Sequence, residues 1–177
     1  MFALIADTET TGLISNRTIK LDRQPEITEF FGQLINLESG FVSRELDCLI
    51  KPSRPIPEEL EVKVGITNKM VENCPPFAHF APDIKELIEG SPLVIFHNVS
   101  FDKEMLDIEF ERLGQIIDWP RRLCTVEATC YLKGYRLNLS ALHELLFGEK
   151  FEGAHRARVD VNALTKCCIE LYTRGIL

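Results

Sequence analysis

Asp7 and Glu9 close the first apolar run of the chain, within the hexapeptide Asp7-Thr8-Glu9-Thr10-Thr11-Gly12. Residues Phe2 to Ala6 form a short, continuous apolar stretch of the kind a buried strand uses. Side chains alternate faces along a strand, so Asp7 and Glu9 point the same way. Two carboxylates side by side at the end of a buried strand repel each other and cost desolvation energy. A cation holds such a pair, and hard oxygen donors of this kind suit Mg²⁺ or Mn²⁺. Asp-x-Glu alone is common, however, and a solvated strand end followed by an ordinary Thr-Thr-Gly turn has the same sequence.

Two further acids strengthen the metal reading. A second apolar strand, Leu93 to Phe96, leads through His97-Asn98-Val99-Ser100 into a helix over 100–114, with Ser100 as its N-cap and Gly114 just past its end. On that helix Asp102 shares a face with Met105, Leu106 and Leu113, so the carboxylate lies on the inward stripe. Its place in the first turn also allows a plain helix-dipole role. The last helix, read over 159–172, repeats the pattern, with Asp160 in line with Leu164, Cys167 and Leu171. His155 falls in the loop before it, after Gly153-Ala154, whereas His143 reads as a structural histidine on a helix over 139–147. Convergence around divalent metal accounts for all four inward acids at once.

The elements that must position these groups follow from the remaining pattern. Segments 26–37 and 41–50 are rich in β-branched and aromatic residues and are joined by Glu38-Ser39-Gly40, a hairpin. Pro52, Pro55 and Pro57 end the sheet structure, and short helices follow at 57–64 and after Gly65-Ile66-Thr67. Pro75-Pro76 introduce a helix that runs to Gly90 as its C-cap. Three strands, helix, strand and then helices describe an α/β fold, a mixed sheet with helices on its faces. The polar stretch with Asn16, Arg17, Lys20, Asp22 and Arg23 reads as a loop.

At 177 residues with 45% hydrophobic content, the chain is long enough for one buried core and too short for two comfortable domains, so residues 1–177 read as a single domain. No apolar stretch approaches the roughly 20 residues that span a bilayer. The first apolar run meets Asp7 too soon, and lacks the basic lead, for a signal peptide. Six cysteines without a Cys-x-x-Cys pair fit reduced thiols in a cytoplasmic protein. The net charge of −7 argues against gripping nucleic acid by phosphate neutralisation alone, so metals and local Lys or Arg must attract any anionic substrate.

The three blocks Asp7-Thr8-Glu9-Thr10-Thr11-Gly12, His97-Asn98-Val99-Ser100-Phe101-Asp102 and His155-Arg156-Ala157-Arg158-Val159-Asp160 resemble, in order, the DEDDh branch of the DnaQ-like 3′–5′ exonucleases. That branch is typified by the epsilon proofreading subunit of bacterial DNA polymerase III. Gly65-Ile66-Thr67, Pro76-Phe77 and Asn138-Leu139-Ser140-Ala141-Leu142 also look like the family, so the match spans nearly the whole chain. The resemblance implies a ribonuclease H-like fold, with a mixed five-stranded sheet flanked by helices, and two-metal hydrolysis of phosphodiesters from a 3′ end. Carried over, Asp7 bridges two Mg²⁺ or Mn²⁺ ions, Glu9 and Asp160 complete the first site, and Asp102 holds the second. His155 is then the general base, fitting an imidazole that titrates near neutrality. Thr10, Thr11 and Leu13 fall where the family contacts the terminal nucleotide, Gly12, His97 and Asn98 join them as substrate-binding candidates, and Phe101 either stacks there or belongs to the core. Nucleic acid with a free 3′ end, chiefly single-stranded DNA, is the implied substrate, and a polymerase or repair protein the implied partner, with no membrane. Val64 stands where proofreading relatives often carry His. The polymerase-binding tail of the proofreading subunit has no counterpart, which favours a stand-alone nuclease.

Two alternatives stand beside this one: an RNA-processing exonuclease of the same fold, and a non-catalytic module that binds a polymerase or nucleic acid. Arg156, Arg158, Lys20 and Arg23 are either phosphate contacts or solvated surface charge. Tyr131 and Tyr135 are either stacking platforms or packing residues.

Overall fold

In the computed structural model, which describes residues 1–14 and 18–177, the first apolar run continues as a strand past both acids. Strand β1 spans Phe2–Thr10, because β2 (Ile27–Asn36) pairs with it antiparallel out to Thr10. Asp7 and Glu9 therefore lie within the paired C-terminal part of this strand. Strand β3 (Val42–Leu49) completes the hairpin, and Gly40 takes φ 72° in its turn, a left-handed conformation that glycine adopts without a Cβ clash. Strands β4 (Leu93–Phe96) and β5 (Arg121–Cys124) are parallel to β1, giving the order β3-β2-β1-β4-β5. The five-stranded mixed sheet expected from the family is thus present. β5 escapes a pattern-based reading because it is a four-residue edge strand that begins with two exposed arginines.

Parity along β1 sorts the core into two layers. Leu4 and Ala6 pack with Phe30, Phe96 and the buried sides of α3 (Phe77–Glu89) and α4 (Val99–Arg112), including Ile84, Met105, Leu106 and Phe110. Ala3 and Ile5 pack on the other face with Phe31, Ile95 and α7 (Ala157–Thr173), through Val161, Leu164 and Cys168. Each fully buried aliphatic or aromatic side chain contributes about 1.5–3 kcal/mol. The two stripes therefore fix α4 and α7 on opposite faces of β1, each with an aspartate in its first turn. Thr8 continues the α4-facing series, while Asp7 and Glu9 continue the α7-facing one.

Smaller elements frame this core. Helices α1 (Glu58–Val64) and α2 (Asn68–Val71) enclose a separate cluster of Ile56, Ile66 and Val71. Helix α5 (Thr125–Thr129) follows β5, and α6 (Leu139–Phe147) packs Leu142 against Cys167 and Leu171 of α7. Asn138 caps α6, its side-chain oxygen accepting the Ala141 N–H at 2.8 Å. The α4 cap differs from expectation: the helix starts at Val99, and its N-cap is Asn98 at φ 76°, a conformation that Asn tolerates better than most residues. After the first motif, Leu21–Arg23 form one 3₁₀ turn, while Asn16 and Arg17 of the expected loop lie outside the described residues. Arg112 pins this segment, donating to the carbonyls of Leu21, Gln24 and Pro25 while paired with buried Glu109. All six cysteines are free thiols. Among the described residues no helix is long and apolar enough to cross a membrane.

Candidate active site

The carboxylates named from sequence meet at the C-terminal end of β1. Asp102, in the first turn of α4, is buried and accepts two hydrogen bonds on Oδ1, from the Thr8 N–H at 3.1 Å and the Thr8 hydroxyl at 2.9 Å. The residue between the two β1 acids thus locks the α4 acid in place. On the opposite face, Glu9 is 9% exposed, and Asp160 approaches it from the first turn of α7. The Asp160 carboxylate accepts the His155 N–H at 2.9 Å. One ligand atom each from Glu9, His155 and Asp160 lie within 4.8 Å of one another. His155 itself is exposed and has left-handed backbone at φ 73°, uncommon outside glycine.

The electrostatics record how closely the acids are packed. Burial pushes the Asp7 carboxyl well above the ordinary aspartate range, and Asp102, Glu9, Asp160 and Glu29 push it further. Asp7 retains some exposure as a residue, yet desolvation of its carboxyl is still the largest cause. Glu9 is pushed up to about 8, first by burial and then by the charges of Asp160, Glu29 and Asp102. Asp102 rises to about 7 through burial, against the opposing pull of its Thr8 hydrogen bonds. Asp160 is raised by burial, and the His155 N–H and ring offset part of the rise. Hard, anionic oxygen donors in a desolvated group suit divalent cations. Arg156, whose charge reaches Glu9, does not fill that role, since its guanidinium is hydrogen-bonded to Glu29.

A cavity of 260 Å³ opens beside this group, lined by Asp7, His155 and Asp160 together with His97, Phe151 and the start of α6. Within it His97 is half-buried and neutral. Its Nε2 donates to the Leu137 carbonyl at 3.1 Å, and its Nδ1 lies 2.9 Å from the Thr125 hydroxyl. Burial, with a smaller push from Arg136, lowers its pKa to about 4 despite the Leu137 bond. With both nitrogens engaged, His97 braces the loops around α5 and α6 and has no free ring nitrogen to offer the cavity. Asn98 also has a partner, accepting from Arg136 at 3.0 Å. Phe101 is half-buried and packs against the α3–α4 core.

The turn after β1 forms its own cleft. Thr10 donates its hydroxyl to the Gly12 carbonyl at 2.8 Å, while the Thr11 backbone N–H and hydroxyl both bond the Glu26 backbone. These internal bonds shape the turn and leave Leu13 standing 82% exposed. Thr11, Gly12 and Leu13 line this cleft with Arg23, Arg54 and Pro57.

The structure shows partners for two arginines whose role the sequence left open. Arg156 is paired with Glu29, and Arg158, though exposed, bonds Asp47 at 2.9 Å while its guanidinium lies 4.3 Å from the Phe31 ring centroid. The sequence reading missed Glu29 altogether. It sits in a strand of β-branched and aromatic residues, and the one signal that finds it is the register that sets it opposite Glu9. Tyr131 and Tyr135 are exposed rather than packed, at 63% and 62%.

Comparison with known proteins adds independent findings. A family model described as exonuclease matches residues 4–168. DNA polymerase III subunit epsilon of Treponema pallidum (strain Nichols) is 32% identical over 176 residues, covering 96% of this chain and 74% of that protein. The 3′–5′ exonuclease DinG of Bacillus subtilis (strain 168) is 30% identical over 138 residues, 76% of this chain but only 14% of that much longer protein. Among solved structures, Exonuclease X in complex with 5′ overhanging duplex DNA matches with a TM-score of 0.72 at 24% identity, covering 98% of this chain and 93% of that one. The nuclease domain of 3′hExo, a DEDDh family member bound to rAMP, matches with a TM-score of 0.79 at 15% identity, covering 98% and 92%. At such identities the structural matches establish the shared ribonuclease H-like fold.

Proposed function

The chain belongs to the exonuclease family, with a DnaQ-like nuclease domain, and from that premise we propose that it removes nucleotides from the 3′ end of DNA by metal-dependent hydrolysis, residues 1–177 acting as one domain. The observation that carries this reading is the gathering of Asp7, His155 and Asp160 around one cavity, with Glu9 beside His155 and Asp160 and with Asp102 near enough to Asp7 to raise its pKa. All five groups are needed for hydrolysis and none for a binding module, so the catalytic reading is the better supported.

Asp7, Glu9 and Asp160 would hold one divalent cation, and Asp7 with Asp102 a second. When bound, such cations supply the positive charge that a phosphodiester needs at its reacting oxygens. The chain's own residues account for the rest. His155, exposed at the cavity mouth, accepts the proton of the attacking water on a ring nitrogen. The water oxygen bonds to phosphorus, the bond to the 3′ oxygen breaks, the shortened strand keeps that oxygen and protonates it to a 3′-hydroxyl with a proton from solvent, and a nucleoside 5′-monophosphate leaves. Thr8 donates two hydrogen bonds to Asp102 that favour its charged form, opposing the burial that raises its pKa to about 7. The cleft of Thr11, Gly12 and Leu13 and the cavity that His97 lines receive the terminal nucleotide, with Leu13 free to pack against its base. Preference for DNA is inferred from the relative that is a DNA polymerase subunit, and that relative also makes a polymerase or repair protein the natural partner. Six free thiols fit a reducing cytoplasm.

The test is a 5′-labelled single-stranded oligonucleotide with Mg²⁺ or Mn²⁺, run beside EDTA and His155→Ala controls and a matched RNA. A ladder that shortens from the 3′ end, lost with EDTA and in the variant, is the expected result. Faster loss of the RNA would shift the assignment to an RNA-processing exonuclease, and an inert wild-type protein on both would sink the catalytic reading.

A further inference from the structure

Glu29 is the acid that the proposed chemistry leaves unused, and its placement is costly. It stands directly opposite Glu9 in the β1–β2 register and is 2% exposed. Like charges facing each other across a sheet destabilise it, and Glu29 also adds repulsion to Asp7, Glu9 and Asp160. A strut that served only to join strand to helix would be made more cheaply by a neutral side chain.

What Glu29 gains for that cost lies at the start of α7. Its two oxygens accept from Arg156 Nε at 3.2 Å, from Arg156 Nη2 at 2.7 Å and from the Ala157 N–H at 2.8 Å. A bidentate guanidinium pair joined to a helix N-terminal N–H is the most directional anchor a carboxylate can form. On one side of it the chain arrives through Gly153 and His155, both with left-handed backbone, from a stretch without helix or strand. On the other side, one turn into the helix, stands Asp160, which accepts the His155 N–H. Among the described residues the His155 ring has no hydrogen-bond partner of its own, so its position is set by the backbone on either side of this latch.

We infer that Glu29 is a positioning residue for hydrolysis: acting through Arg156 and the first turn of α7, it holds His155 against Glu9 and Asp160. The inference rests on the proposed role of His155 as the base. It also accounts for the sequence order His155-Arg156-Ala157, in which the residue after the base carries the fork and the next supplies the backbone donor.

The test measures kcat and KM on single-stranded DNA with Mg²⁺, and the melting temperature, for wild type, Glu29→Gln, Arg156→Lys, His155→Ala and the double variant Glu29→Gln/His155→Ala. Glu29→Gln keeps the shape and loses the charge, while Arg156→Lys keeps the charge and loses the fork. Each is expected to lower kcat about tenfold or more, as misplacement of a catalytic group does. KM should stay within about twofold, because substrate binding is not what the latch serves. All variants are assayed well below their own melting temperatures, so that a loss of kcat is not a loss of folded protein. In the His155→Ala background Glu29→Gln should add less than about a further twofold loss, the group it positions being gone. An unchanged kcat in Glu29→Gln, or the same factor lost with and without His155, would overturn the inference while leaving the proposed function standing. A wild-type protein inert on DNA and RNA would overturn both.

Discussion

Stripping divalent metal and raising the pH should destabilise the fold, and Glu9→Gln should undo much of the loss. The Glu9 carboxyl is raised from 4.5 to about 8, by burial and then by Asp160, Glu29 and Asp102. Unfolded, the same group titrates at its ordinary value, so between the two the native state holds a proton that the unfolded chain has released. Stability from this group is therefore complete below about pH 4.5 and is lost as the pH rises through about 8. At about 1.4 kcal/mol per unit, a shift of this size corresponds to at most about 5 kcal/mol. The neighbouring acids share the same repulsion, so their contributions do not simply add. For a chain of this length each kcal/mol moves the melting temperature by about 2–4 °C, so a fall on the order of 10 °C is expected between pH 5.5 and 8.5 in EDTA. Glu9→Gln should melt above wild type at pH 8.5 in EDTA and show a flatter pH dependence. Saturating Mg²⁺ should narrow that gap, because ligand binding to the native state adds stability by mass action. Scanning calorimetry or circular dichroism across this range decides the matter. A wild-type melting temperature that is flat or rising with pH in EDTA, with Glu9→Gln no more stable, would refute the account of a strained carboxylate cluster.

Four further outcomes follow from particular side chains. His155→Ala should lower kcat by about 10²–10⁴-fold, measured in single-turnover digestion, with little change in melting temperature because the residue is exposed. Thr8→Val removes the hydroxyl that bonds buried Asp102 and should cost about 1.5–3 kcal/mol in urea denaturation near pH 8, where Asp102 is ionised. Arg112→Leu strands buried Glu109 and frees the 21–25 segment, which should cost about 3–5 kcal/mol, whereas Tyr131→Ala with Tyr135→Ala should stay within about 0.5 kcal/mol per site.

The sequence carried most of what positions the site, because apolar periodicity and carboxylates on apolar faces survive without coordinates. Asp102 with Met105 and Leu106, and Asp160 with Leu164, Cys167 and Leu171, were legible as inward-facing acids, and these companions are buried, while Leu113 is only partly so. Partners set by register were not legible. Glu29 opposite Glu9, Thr8 beneath Asp102 and the His97 bonds to Thr125 and Leu137 depend on which strands and loops meet, and local pattern does not encode that. The α4 cap went to Asn98 rather than Ser100 because the chain turns from β4 through left-handed backbone. Arg156 and Arg158 looked like surface charge because their partners, Glu29 and Asp47, lie more than a hundred residues earlier in the chain.

That last separation bears on how the protein is made. Asp7 and Thr8 emerge first of the group, Asp102 comes about ninety residues later, and His155 and Asp160 come some fifty residues after that. At translation rates of about 5–20 residues per second, the β1 acids wait for many seconds before their last partners emerge. No local hairpin or helix pair contains a complete set of these groups, so the proposed hydrolytic centre would come into being only when α7 docks on the finished sheet. A nascent or partly unfolded chain would then be silent toward nucleic acid, the ribosome-bound message included. Ribosome-stalled chains ending before residue 155 should show no nuclease activity even where β1–β4 are already protected from protease.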